Sequence, residues 1–199
     1  MTMRGTPYNF NGDEIGMINI RFDNIEDYND VDTRNKYEQL KNAGGDLKAF
    51  LENKKQTSRE NGRTPFQWDA TANGGFTTGK PWLKVNPNFT EINAAAQEKD
   101  PNSVLNYYRK LVKIRKANPT LQYGKYTLLD RDNPNVFSYT RELDGKKLLI
   151  LLNFTEKEAP YSIDLSTTNA KIILNNYPNT NSIQSNTLRP YESVIMELK

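Results

Sequence analysis

Val136-Phe137-Ser138-Tyr139-Thr140-Arg141-Glu142-Leu143-Asp144-Gly145-Lys146-Lys147-Leu148-Leu149-Ile150-Leu151-Leu152 decides the character of the C-terminal part of the chain. Asp-Gly between two runs of strand-forming residues is a strong signal for a two-residue type I′ turn. Val136–Glu142 and Lys147–Phe154 are therefore predicted to form a hairpin. Leu148–Leu152 is apolar at every position, as expected of a strand buried on both faces. Working outward, Lys125–Leu129 reads as a strand before the hairpin. Tyr161–Leu165, Lys171–Leu174 and Ser193–Leu198 read as strands after it, and the asparagine-rich stretch Asn175–Asn186 as a loop. About six to eight short strands in the last 80 residues predict an antiparallel sandwich or Greek key.

The residues before this region follow another rhythm. Gly5–Phe10 reads as one short strand closed by Asn11-Gly12. Val31–Asn42 reads as a helix capped by Asp32 or Thr33 and ended by Ala43-Gly44-Gly45. Asp46–Arg59 repeats the pattern, with Leu47, Phe50 and Leu51 on one face. Pro101–Lys116 is the clearest helix. Asp100 is its candidate cap, Pro101 its first turn, and Asn118-Pro119 its end. Between these helices, Asn61–Glu91 has no period and carries both tryptophans. A loop of that length with no regular period is either functional or unfolded.

The chain has 199 residues, no Cys and no His. That excludes disulfides, thiolate metal sites, a cysteine nucleophile and a His-based triad. Chemistry is left to carboxylates, Lys, Tyr and Arg. A net charge of +3 with both signs mixed does not suggest nucleic acid or an anionic membrane as a partner. No apolar run is long enough to span a bilayer, and no apolar signal core is present. The expectation is a cytoplasmic protein without metal or cofactor.

Several side chains stand out as site candidates. Asp13 and Glu14 follow Gly12, but neighbouring carboxylates on a strand face opposite ways, so an acidic loop or helix start is the plainer reading. Arg63 precedes Thr64-Pro65, which places it on non-helical backbone near Trp68. A guanidinium there either grips a polar ligand or forms a buried salt bridge. Trp68, Trp82 and Phe76 could stack on sugars, although aromatics in a long loop more often pin it down. Asn-Phe-Thr at Asn88 and Asn153 matches the glycosylation pattern, a short motif with little weight alone.

These same residues carry a family resemblance. Arg4-Gly5-Thr6-Pro7-Tyr8 with Asn11-Gly12-Asp13-Glu14-Ile15-Gly16-Met17 resembles the eighth barrel strand of family 13 glycoside hydrolases, the α-amylase superfamily. Ser58-Arg59-Glu60-Asn61-Gly62-Arg63-Thr64-Pro65-Phe66-Gln67-Trp68-Asp69 resembles the SRDNARTPMQWD stretch of its oligo-1,6-glucosidase and α-glucosidase branch. Gly75–Phe89 continues the match, and Asp100–Pro119 resembles the last barrel helix. Asn11, Asp13 and Phe66 depart mildly from the family pattern.

The resemblance implies the C-terminal remnant of a (β/α)8 barrel over residues 1–118, followed by a β-sandwich domain over 119–199. It further implies an exo-acting retaining α-glucosidase as the parent enzyme. A whole barrel takes about 250 residues. The nucleophile, the acid/base and the third Asp of the family belong to strands ahead of Met1, so no catalytic residue falls in this chain and the isolated chain is expected to be inactive. Arg63 would reach the glucose at subsite −1, and Asp32 would lie near the +1 sugar. Gly12, Glu14 and Trp68 would be structural parts of the motifs. The implied partners are an oligosaccharide and the missing barrel portion. A stand-alone carbohydrate-binding or structural β-module is the alternative. An incomplete barrel would also expose the apolar faces of its helices, with Leu105, Tyr108 and Val112 among them.

Overall fold

The computed structural model describes residues 1–178 and 186–199. The chain divides into two compact units, Asn9–Asn106 and Met1–Tyr8 with Tyr107–Lys199. These compact units part near the start of the long helix, because that helix shares its core with the sheet. No helix among the described residues is long and apolar enough to cross a membrane.

In the unit Asn9–Asn106, two helices follow a series of turns. Helix α1 covers Val31–Asn42, as predicted. Its cap lies two or three residues earlier than expected, however. Asp30, with extended backbone, accepts from the Thr33 amide at 3.1 Å and from the Thr33 hydroxyl at 2.8 Å. Asp32 and Thr33 already have helical neighbours on both sides and cannot cap. The helix stops at Gly44, whose φ of +69° lets the Gly45 amide reach back to the Leu40 carbonyl at 2.9 Å. Helix α2, Leu47–Thr57, is capped by Asp46. A further helix that the sequence pattern did not reveal, α3, covers Ala94–Lys99 under an Asn93 cap. Two small cores hold this unit. One joins Ile15, Phe66 and Leu105, and the other Phe22, Tyr28 and Leu83.

Helix α4 covers Val104–Ala117, starting three residues later than predicted. Asp100 spends its carboxylate on the Asn102 amide at 2.9 Å, and Ser103 takes the capping role by accepting from the Asn106 amide at 3.2 Å. Leu105 is buried, against the expectation of an exposed face, while Tyr108 and Val112 are half-buried. A short helix, α5, follows over Pro119–Tyr123.

The described part of the second unit contains seven strands: β1 Lys125–Leu129, β2 Val136–Leu143, β3 Lys146–Asn153, β4 Ala159–Pro160, β5 Lys171–Asn175, β6 Thr187–Leu188 and β7 Ser193–Leu198. Five form an antiparallel sheet in the order β1-β2-β3-β7-β5, and β4 pairs with β6. The β2–β3 hairpin turns at Asp144 and Gly145, with φ of +50° and +78°, as a type I′ turn requires. Leu148–Leu151 are fully buried because the sheet has a core on each face. Leu149, Leu151, Val194 and Met196 meet Ala159 and Leu188 of the small sheet on one side. Tyr139, Leu148, Ile150 and Ile195 meet Leu121 of α5, with Leu111 and Ile114 of α4, on the other.

Two predicted strands are absent. Tyr161–Leu165 is not a strand: the Tyr161 amide still reaches the Asn186 carbonyl at 2.9 Å, but the Ser162 amide donates to the Asp130 side chain at 2.9 Å instead. Gly5–Phe10 is likewise not a strand, since Gly5 has a φ of +103°. Its neighbourhood is held by side chains. Arg115 of α4 donates to the carbonyls of Met1, Met3 and Gly5, and Arg141 of β2 to that of Thr2. The predicted loop Asn175–Asn186 lies largely outside the described residues.

Glu192 is a buried carboxylate at the entry of β7. It accepts from the Arg189 guanidinium at 2.6 Å, the Arg189 amide at 2.8 Å and Asn175 at 2.8 Å. Burial alone pushes its pKa up, but these hydrogen bonds outweigh burial and hold it below the usual carboxylate value. A folded pKa below the unfolded one stabilises at pH above the unfolded value, and that stabilisation disappears as pH falls through the folded pKa. Thermal melts are expected to show Tm dropping between about pH 5 and pH 3. The Glu192→Gln chain should show a smaller drop, and an identical pH profile would refute the assignment.

Candidate functional site

The candidate site is built from two turns, the start of α1 and the long loop of the Asn9–Asn106 unit. The first is Gly12–Met17. Gly12 has a φ of +104°, and a Cβ there would lie 2.8 Å from the Met17 sulfur, so only glycine fits. Asp13–Ile15 is a 3-10 turn, not the end of a strand. The Glu14 carboxylate accepts from the Gly12 amide at 2.9 Å and from Asn9 at 3.1 Å, and Asp13 accepts from the Phe10 amide at 3.3 Å. Both carboxylates are thus committed to the backbone or side chains of their own loop.

The second turn carries Arg63. Ser58 caps a 3-10 turn over Arg59–Arg63, and Thr64 then extends (φ −63°, ψ 150°), as the residue before Pro65 must. Arg63 therefore ends a helical turn rather than lying wholly on extended backbone. Its side chain is exposed, and no described residue hydrogen-bonds to or pairs with its guanidinium. The buried salt bridge considered from the sequence is not formed.

What is held is the Arg63 backbone. The Trp82 indole donates to the Arg63 carbonyl at 2.8 Å. Asn29 donates its side-chain amide to the Trp82 carbonyl at 2.8 Å and its backbone amide to Glu60 at 2.6 Å. Arg59 pairs with Asp30 at 2.8 Å. These links close a ring around the 59–63 turn and join it to the N-terminal end of α1. The Thr33 hydrogen bonds, together with Arg59, hold the Asp30 carboxyl below its usual pKa. Asp32, in the first turn of the same helix, is exposed and pairs with Lys36 at 2.9 Å. A solvent-exposed pair of this kind contributes little, so the Asp32 carboxylate is free to exchange partners. The structure joins the Arg63 turn to the N-terminal end of α1 through Asn29 and Asp30, while the Asp32 side chain pairs only with Lys36. The Gly12 loop lines a shared pocket of about 190 Å3 with Asn61, Gly62 and Thr64.

Glu60, Asn29 and the indole N–H of Trp82 were missed as organisers. Glu60 is buried although it lies in a hydrophilic run, and its second oxygen has no partner among the described residues. Its partner Asn29 is 31 residues away, so no local periodicity could reveal the bond.

The long loop is pinned throughout. Trp68 packs on Phe66 with ring centroids 4.6 Å apart, and Trp82 meets Phe76 edge-on at 4.9 Å. The Trp68 amide donates to the Gly74 carbonyl at 2.8 Å, and the Ala95 amide to the Trp68 carbonyl at 2.9 Å. Fully buried Gln67 donates to Asn88 at 3.0 Å and to the Ile92 carbonyl at 2.5 Å. Both indoles nonetheless keep more than half of their surface exposed. Among the described residues no cluster of carboxylates could hold a metal ion. The arrangement offers one unpaired guanidinium and two fixed, exposed indoles: equipment for gripping a polar ligand.

Comparison with known proteins points the chain to one family. The profile described as "Alpha amylase, catalytic domain" matches residues 1–124, and "Maltogenic Amylase, C-terminal domain" matches 126–195. The oligo-1,6-glucosidase of Bacillus cereus is 41% identical over 201 residues, which cover 99% of this chain and 36% of that protein. The trehalose-6-phosphate hydrolase of Bacillus subtilis is 43% identical, over 98% of this chain and 36% of its own length. Among solved structures, an isomaltulose synthase from Erwinia rhapontici in complex with D-glucose superposes with a TM-score of 0.90 at 45% identity, covering 100% of this chain and 36% of that one. The chain spans about a third of the length of the relatives it matches.

Proposed function

Since the chain belongs to the α-amylase family of glycoside hydrolases, we propose that it is the C-terminal portion of a retaining α-glucosidase of the oligo-1,6-glucosidase type. The reaction is hydrolysis of terminal α-glucosidic bonds in short oligosaccharides. Residues 1–118 contribute to the catalytic barrel and 119–199 form the β-domain. The observation that carries this reading is Arg63: its backbone is clamped by Trp82 while its guanidinium stays exposed and unpaired. A cation left free by the fold is available to the hydroxyls of a glucose at subsite −1. Asp32, exposed in the first turn of the helix that Asp30 caps, serves the +1 sugar. Gly12, Glu14 and Trp68 shape the loops that hold them. The two carboxylates of retaining hydrolysis come from the barrel portion that this chain does not span. A cytoplasmic location belongs to the same reading, in keeping with a chain that has no cysteine to oxidise.

The test is an assay on p-nitrophenyl α-glucoside. The chain alone is expected to give no turnover. Mixed with the first two-thirds of the Bacillus cereus relative, it is expected to restore activity. Turnover by the chain alone that a point mutation in it abolishes would overturn the proposal. The second reading, a stand-alone carbohydrate-binding module, draws on the β-domain's own two-sided core. It would be favoured if isomaltose or maltotriose perturbed residues 119–199 saturably and mixing gave no activity.

A further inference from the structure

A cavity of about 750 Å3 opens between residues 20–29 and 73–89. Its size falls in the range of small-ligand sites. Buried Phe22 and Leu83 contribute to its lining, as does the exposed Trp82. Exposed aromatic side chains are usually free to rotate, but this one is not. Its N–H is bonded to the Arg63 carbonyl, and its ring rests against Phe76. The ring is a rigid platform whose ordering is already complete before any ligand arrives.

Two carboxamides beside it are equally fixed. Asn29 uses its side-chain nitrogen on the Trp82 carbonyl, and Asn73 uses its nitrogen on the carbonyls of Thr77 and Gly79, each at 3.0 Å. Each amide oxygen is left without a partner among the described residues, and both residues line the cavity. Of the wall carboxylates, Asp23 and Asp27 are neutralised by Lys55 at 2.7 Å and Lys84 at 2.6 Å, and the charge of Glu26 is offset on the same wall by Arg21 and Lys80. A fixed aromatic face flanked by oriented, neutral acceptors matches a pyranose: its C–H face packs on the ring and its hydroxyls donate to the amides.

We propose that the Trp82 cavity is a binding site for a neutral oligosaccharide. The choice of a glucosyl ligand rests on the α-glucosidase reading, but the lining includes neither Arg63 nor Asp32, so the two ideas can fail separately.

The chain has two tryptophans, hence two indole N–H signals in an NMR spectrum, assigned with a Trp68→Phe chain. Titration of the full chain with isomaltose and with maltotriose is expected to move the Trp82 signal saturably and leave that of Trp68 in place. Affinity read from the sugar signals should weaken about tenfold or more in Trp82→Phe. Should that variant not fold, the wild-type titration decides alone. A Trp82 signal that stays still up to tens of millimolar sugar would overturn the proposal. So would binding unchanged in a folded Trp82→Phe chain, or a response to glucose 6-phosphate without one to the neutral sugars. Restored hydrolysis on mixing with no Trp82 response sinks this site and leaves the α-glucosidase reading standing. The reverse result does the opposite.

Discussion

Replacing Arg141 with Ala is expected to cost about 3–5 kcal/mol of stability, enough to lower the Tm by roughly 10 °C in a chain of this size. Arg141 is fully buried in the middle of β2. Its guanidinium donates to the Gly124 carbonyl through Nε at 3.3 Å and Nη2 at 2.9 Å, and to the Thr2 carbonyl through Nη1 at 2.6 Å. No carboxylate accompanies it among these contacts, so the buried charge is satisfied by backbone oxygens alone. Burial accordingly pulls its pKa below the ordinary arginine value. Truncation removes a large side chain from a packed interior and leaves two carbonyls without these donors, and the two penalties add. Arg141→Met fills part of the space but restores no donor, so an intermediate loss is expected. Arg141→Lys keeps the charge but not the planar fork that serves both carbonyls. Thermal and urea melts of the three variants check this order. An Ala variant within about 1 kcal/mol of wild type would show that the guanidinium is dispensable.

The second large effect concerns activity and leaves the fold alone. In the enzyme reassembled from this chain and the upstream barrel portion, Arg63→Lys is expected to lower kcat/KM about a hundredfold, and Arg63→Ala further still. Hydrogen bonds to a charged group contribute about 1.5–3 kcal/mol each. A lysine cannot present two parallel donors from a plane, so at least one such bond is lost. Stability of the isolated chain should change by less than about 0.5 kcal/mol, because the Arg63 side chain is exposed and has no partner. The contrast with Arg141 is instructive: one arginine is consumed by the fold and the other is left over by it. A reassembled Arg63→Lys enzyme within threefold of wild type, or a destabilised Arg63→Ala chain, would remove Arg63 from the substrate-binding role.

The difference between these two arginines was only half visible in the sequence. Arg63 stood out because its neighbours Thr64, Pro65 and Trp68 restrict the local backbone. Arg141 read as an ordinary residue of a strand, since its partners lie 17 and 139 residues away. The same rule separates the successes from the failures elsewhere. The Asp144-Gly145 turn, the α1 and α2 helices and the β7 strand are specified by neighbouring residues, and they appear where local chemistry puts them. The α4 start, the missing Tyr161–Leu165 strand and the Glu60–Asn29–Trp82 ring depend on side chains capturing backbone groups, often far along the chain. Of the candidate site, the motif residues were legible and the scaffold that holds them was not.

The anchoring of residues 1–5 by Arg115 and Arg141 has a consequence for how the chain is made. Residue 2 leaves the ribosome long before residue 141 does. At ordinary elongation rates the gap is of the order of ten seconds. Until then the Thr2 carbonyl waits for Arg141, and for most of that interval the carbonyls of Met1, Met3 and Gly5 wait for Arg115. Residues 1–5 are therefore among the last to settle, joining a β-domain that must assemble before them.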